Sequence, residues 1–178
     1  MNEKRELRLF VSVEVPQEIR KKVALLAKEL PEDSIKPVMP ENMHLTLKFI
    51  GETSEEKLEE IKEALRQISF SPFKCRINGV GVFPNEDYIR VVWAGVESPE
   101  LDSLAKDVIS ALVRFGGDSR FSAHLTLARV RKKIDVREFV ANHKDDEFGE
   151  FEVNGFQLMK SMLSREGPAY SVVARFPG

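Results

Sequence analysis

The sequence predicts an α+β chain made of two lobes fused around one cleft, and three observations predict it. Elements assigned from hydrophobic periodicity run in the order β-α-β-α-β-β-α-β-α-β-β. The tetrapeptide His-Leu-Thr-Leu stands at 44–47 and again at 124–127, which puts its two histidines 80 positions apart (124 − 44). After each copy the pattern repeats as a helix followed by a strand pair, the mark of an internal duplication. No linker rich in Gly, Ser or Pro separates the halves, so residues 1–178 read as a single bilobal domain.

Residues 7–14 are apolar and β-branched and form a first, largely buried strand. Pro16 suits a first helical turn, Ile19, Val23, Leu26 and Leu30 follow at helical spacing, and Pro31 closes the helix. Pro37 and Pro40 bracket a loop or irregular strand that leads into the first repeat strand, 43–50, which Gly51 ends. Thr53 and Glu56 have capping-box spacing ahead of a helix with Leu58, Ile61, Leu65 and Ile68 inward. Strands 73–83 and 88–96 flank a turn at Pro84-Asn85-Glu86-Asp87. Ser98 and Pro99 start a helix that buries Leu101, Leu104, Val108, Ala111 and Leu112, with Gly116-Gly117 beyond its end. The second repeat strand covers 122–131. Asp135 and Glu138 cap a short helix carrying Val136, Phe139 and Val140. Strands 151–163 and 170–176 complete the chain.

Hydrophobic content of 42% and charged content of 31% fit a soluble globular protein. A net charge of −2 gives no global basic field of the kind that binds duplexes through many phosphates. One cysteine, Cys75, excludes an internal disulfide and fits a reducing compartment. No apolar run reaches membrane-spanning length, and the N-terminus lacks the apolar core of a signal peptide. A cytoplasmic location without a membrane partner is the expectation.

The repeated tetrapeptide carries the chemistry. Strand side chains alternate between faces, so each His shares a face with its Thr and each Leu points to the other side. His and Thr then stand about 6.6 Å apart along the strand, within reach of different oxygens of one phosphate. Core packing would accept Val or Ile at these positions and has no reason to ask for His plus Thr twice. Two imidazoles with ordinary pKa near 6.5 can divide the work of an in-line displacement at phosphorus. One takes a proton from the attacking hydroxyl and the other protonates the leaving oxygen. Thr46 and Thr126 hydroxyls donate to the non-bridging oxygens. Two histidines fall short of the three or four ligands of a zinc site, and Thr is a poor zinc ligand. No Gly-x-Ser-x-Gly and no phosphate-cradling Gly-rich loop occurs.

In these residues the chain resembles the two-histidine (2H) phosphoesterases, which carry paired H-x-T-x motifs. Within them it is similar to the LigT-like branch, the RNA 2′,3′-cyclic phosphodiesterases also named 2′-5′ RNA ligases. The flanks agree: Leu9-Phe10-Val11 near the start, Pro40-Glu41-Asn42-Met43 before His44, Lys48-Phe49-Ile50-Gly51 after Leu47. Phe121-Ser122-Ala123 precede His124, and Ala128-Arg129 follow Leu127. The resemblance covers essentially the whole chain; Ala123 departs from the Pro common before the second His, which bears on the start of the strand more than on chemistry.

The resemblance implies two pseudo-symmetric antiparallel β-sheet lobes with outer helices around a central cleft. It implies hydrolysis of 2′,3′-cyclic phosphate ends to 2′-phosphomonoesters without metal or cofactor, His44 donating a proton to the departing 3′-oxygen and His124 activating water. The near-symmetry of the motifs leaves both assignments open on the residues alone. With an RNA 5′-hydroxyl in place of water, the reverse reaction forms a 2′-5′ linkage without ATP. The expected partners are RNA ends with a cyclic phosphate, such as tRNA halves, or nucleotides, and the expected state is a monomer.

Lys48 shares the alternation of His44 and Thr46, so it either holds a phosphate in the cleft or is a solvated strand-end lysine. Arg129 has the opposite parity from His124 and reaches the cleft only if a bulge intervenes; the resemblance favours an Arg there. Phe83 and Tyr88 could stack a base, although core or rim packing competes. Trp93 reads as core, His143 as a solvated loop residue and Cys75 as an inert buried thiol. Two other functions compete: a non-catalytic RNA- or nucleotide-binding module, and a 2H enzyme for another small cyclic phosphate such as ADP-ribose 1″,2″-cyclic phosphate.

Overall fold

The computed structural model describes residues 4–178. Its first strand, β1 (Glu6–Glu14), is buried on both faces in its middle, as its unbroken apolar run requires. It sits inside a four-stranded antiparallel sheet. One neighbour is β3 (His44–Ser54) and the other is β8 (Gly155–Ser164), which pairs in turn with β9 (Gly167–Pro177). The second sheet runs β2 (Ile35–Pro37), β6 (His124–Val130), β5 (Tyr88–Glu97), β4 (Phe73–Asn85), β7 (Glu147–Val153), again all antiparallel.

The helices interlace the lobes. α1 (Gln17–Leu26) follows β1 of the first sheet but packs on β6 and β7 of the second, where α4 (Arg137–His143) covers β4. Conversely α3 (Pro99–Ala111) follows β5 of the second sheet but packs on β3 of the first, beside α2 (Leu58–Arg66). One continuous apolar core joins the two lobes. The four motif leucines Leu45, Leu47, Leu125 and Leu127 all enter it at 1% exposure or less. Burying each stabilises the fold by roughly 2 kcal/mol, which anchors both motif strands.

Several expected elements take a different form. Strand 151–163 is two strands, because the chain leaves β7 of one sheet at Asn154 and enters β8 of the other. An apolar run does not show such a change of sheet. Gly51 does not end β3: at φ +88 it follows an irregularity in the β1 pairing, and the strand continues to Ser54. The Thr53–Glu56 capping box does not form, since Thr53 is spent in the ladder opposite Leu7 and a 3₁₀ turn leads into α2. Other local signals are realised as read. Ser98 Oγ accepts from Leu101 N at 3.3 Å to cap α3. Asn85 Oδ1 accepts from the backbone of Asp87 and Tyr88 to close the β4–β5 turn.

Candidate active site

The two motif strands are built alike down to their irregularities. Glu14, Val13 and Ser12 of β1 lie opposite His44, Leu45 and Thr46. Gly95, Ala94 and Trp93 of β5 lie opposite His124, Leu125 and Thr126 in the same way. The next residue of each motif strand, Leu47 or Leu127, is then skipped by its partner strand. Such a bulge reverses the alternation beyond it. His, Thr and the fifth residue after His therefore share the cleft face, while the fourth turns away.

That bulge decides two sequence expectations. Arg129, on the wrong parity for a regular strand, lines the cleft. Lys48, on the right parity, does not. Its side chain is buried, 3% exposed, and Nζ donates to the Asp118 carbonyl at 2.6 Å, holding the loop that precedes β6. The place that parity gave to Lys48 belongs to Phe49.

His44 and His124 meet with Thr46 and Thr126 in a single cleft of about 400 Å³ between the lobes, at the small end of ligand pockets. Each imidazole is held the same way. The Nδ1 of His44 donates to Asn42 O at 3.1 Å, and that of His124 to Ser122 O at 2.7 Å. A carbonyl only accepts, so Nδ1 carries the proton and Nε2 is left to act on a ligand. Any residue two positions before His can supply that carbonyl, so the sequence gives no sign of it. Burial pushes both imidazoles below their ordinary pKa, against the carbonyl bond that raises it. The charge surroundings differ: His44 has Arg20 lowering and Glu14 raising its pKa, and His124 has only Arg129, which lowers it.

The walls are not symmetric. Phe10 and Tyr170 set their rings edge-to-face against His44 at 6.3 and 5.6 Å, and Phe10 stacks on Phe49. On the other side Phe83 sets its ring against His124 at 5.0 Å, so Phe83 packs on the histidine rather than standing free as a base platform. Tyr88 is exposed and receives Arg90 over its ring. Trp93 is half-buried on the cleft-side face of its sheet, not in the helix-side core, because it pairs with Thr126 and alternates with buried Val92 and Ala94. His143 is not a solvated loop residue either: it ends α4 and bridges Asp146 and Glu29 at 2.6 and 2.7 Å. Cys75 is buried and its thiol is pushed up to about 12 by burial. A larger cavity of about 560 Å³ opens elsewhere between the lobes but holds neither histidine.

The family model for LigT-like phosphoesterases matches the chain twice, over residues 13–93 and 95–170, with one motif in each match. The chain belongs to that family. An RNA 2′,3′-cyclic phosphodiesterase of Archaeoglobus fulgidus is 47% identical over 92% of this chain and 96% of its own length. One from Methanocaldococcus jannaschii is 36% identical over 94% and 98%. Among solved structures, a Thermus thermophilus protein superposes with TM-score 0.82 at 34% identity, covering 96% of this chain and 97% of that one. Escherichia coli LigT complexed with 3′-AMP gives TM-score 0.82 at 27% identity, covering 97% and 98%. The bilobal architecture with outer helices is thus that of the LigT-like family.

Proposed function

We propose that this protein is an RNA 2′,3′-cyclic phosphodiesterase whose reaction is run by His44 and His124. The observation that carries the reading is the pair of imidazoles, each fixed through Nδ1 with Nε2 free, facing one cleft between two threonine hydroxyls. Neutral His124 takes a proton from water as its oxygen attacks phosphorus. The P–O3′ bond breaks in line, and the departing 3′-oxygen receives the Nε2 proton of His44, leaving a 2′-phosphomonoester. Thr46, Thr126 and the guanidinium of Arg129 hold the non-bridging oxygens as charge grows on them.

Two asymmetries support this assignment of roles. The departing oxygen belongs to the nucleoside, and the aromatic wall that suits a nucleoside (Phe10, Phe49, Tyr170) stands on the His44 side. Arg129 disfavours a second positive charge on His124, which suits a base; at His44 the like effect of Arg20 is partly offset by Glu14. With an RNA 5′-hydroxyl in place of water, the same steps join two ends through a 2′-5′ linkage, His124 taking the hydroxyl proton and His44 protonating the departing 3′-oxygen. Ends such as those of tRNA halves fit this chemistry.

The test is product analysis on a short RNA ending in a 2′,3′-cyclic phosphate, with chelator present, for wild type, His44→Ala and His124→Ala. Conversion to the 2′-phosphate by wild type alone is the expected result. Turnover that survives loss of either histidine would put the chemistry elsewhere. No turnover by wild type, with RNA still bound, would favour a binding module.

A further inference from the structure

The duplicated strands account for the phosphate, but a substrate extends to one side of it only. What breaks the symmetry of the cleft should read that extension. One such feature is β2, the edge strand next to β6, because among the described residues the first sheet ends at β3 with no equivalent strand. β2 is held to β6 by three residue pairs, and Val38 N extends the pairing to Leu127 O at 2.9 Å. Its central residue Lys36 lies directly opposite Arg129, and both line the cleft.

From there Lys36 reaches across to the other lobe. Its Nζ lies 3.7 Å from where a Cβ on Gly167 would stand, at the tip of the β8–β9 turn. That turn is tied over the cleft by Asn42 Nδ2, which donates to Pro168 O at 3.2 Å. Among the described residues neither Lys36 nor Arg129 is engaged in an ion pair. Two carboxylate residues also line the cleft: Glu166 on the turn, and Asp118, whose carbonyl is taken by Lys48. Glu166 precedes Gly167, so an anion on Lys36 Nζ is best placed on the β2 side of that ammonium, away from the turn.

We propose that Lys36 forms a second phosphate position at the cleft mouth, which holds the phosphodiester on the 5′ side of the terminal nucleotide. The inference rests on the phosphodiesterase reading above. A cleft of about 400 Å³ encloses one nucleotide, so the next linkage of an RNA chain lies at the mouth. There it meets an ammonium adjacent to the guanidinium that holds the terminal phosphate. The protein thereby prefers an RNA end over a free 2′,3′-cyclic mononucleotide, although the reacting group is the same.

The experiment compares kcat/KM for a mononucleotide 2′,3′-cyclic phosphate, a dinucleotide with the same end, and that dinucleotide with an uncharged methylphosphonate linkage. Wild type should favour the charged dinucleotide over the mononucleotide by roughly fivefold, the upper worth of one exposed ion pair. The preference should shrink as salt rises. The methylphosphonate should lose it, Lys36→Gln should bring the ratio close to one, and Lys36→Arg should restore it. Hydrolysis of both natural substrates with a ratio near one in wild type overturns the second position while leaving the reaction intact. A preference that survives the methylphosphonate or Lys36→Gln overturns it too, and assigns the selectivity to the second base or ribose. No hydrolysis of any of the three is a failure of the parent reading instead.

Discussion

Two neighbouring glycines offer a controlled perturbation of the loop that leads into the second motif. Gly116 and Gly117 have almost the same positive φ, +83 and +81. Alanine at either position should carry a positive-φ penalty of about 1–2 kcal/mol. Their surroundings differ. A Cβ on Gly116 meets nothing within 4 Å, whereas on Gly117 it runs into Phe49 O and approaches Ile50 Cα at 2.8 Å and Ile50 O at 2.9 Å. All three are backbone atoms of β3, which cannot step aside singly; Phe49 pairs with Phe10 of β1, and Ile50 lies at the irregularity between the Phe49 and Gly51 pairs. Overpacking of this kind adds about 1–3 kcal/mol, so Gly117→Ala should lose about 2–5 kcal/mol against 1–2 for Gly116→Ala. In urea, with a slope of about 2 kcal/mol/M, the two midpoints should differ by roughly 1 M. Gly117→Ala should also lower kcat/KM, because the displaced loop carries Asp118 into the cleft and gives Lys48 its acceptor. Equal midpoints for the two variants would refute the close approach of loop and strand.

Three further outcomes are expected. Because burial holds both cleft histidines below their ordinary value of 6.5, the singly protonated pair is most populated on the acid side of 6.5, and the kcat/KM profile of the free enzyme should peak there. A peak at or above about pH 7.5 would contradict that; the kcat profile should lie higher, since a bound phosphate anion raises both. His143 is bonded to Asp146 and Glu29, which raise its pKa; its stabilisation is full below the unfolded value near 6.5 and fades as pH climbs through the folded one. His143→Gln should cost roughly 1 kcal/mol in urea titrations near pH 5.5 and less near pH 8.5, and a pH-independent cost would dismiss the ion pair. Gly81→Ala places a methyl in the ring of Trp93, which packs on Phe83 and through it on His124. Emission of this sole tryptophan should shift and kcat fall, with partial recovery of kcat when Trp93→Phe is added; unchanged emission would sink the chain of contacts.

What was legible in the sequence depended on whether the signal was local. The motif histidines, their threonines and the leucines that anchor them obey simple alternation, and the structure keeps them where alternation puts them. The N-cap of α3 and the β4–β5 turn are set by residues within three positions and were equally readable. Features that depend on a partner strand were not. Nothing in residues 147–163 says that the chain changes sheets at Asn154, since both halves bury apolar residues. Trp93 lies on an apolar strand whichever face it takes, and only the pairing with Thr126 fixes that face.

The bulges at Leu47 and Leu127 show why the same rule succeeded at one residue and failed at the next. A strict two-residue period would send Lys48 into the cleft and Arg129 into the core, and the skipped leucine inverts both. The inversion also makes chemical sense of the duplication. His and Thr precede the bulge and are the same in both halves, as the two ends of the proposed in-line displacement require. The first cleft residue after it is Phe49 in one half and Arg129 in the other. A symmetric pair of strands thus carries its asymmetry at one equivalent position, with an aromatic ring on the His44 side and a cation on the His124 side. Exchanging the two side chains, Phe49→Arg with Arg129→Phe, should disable hydrolysis even with every histidine and threonine in place.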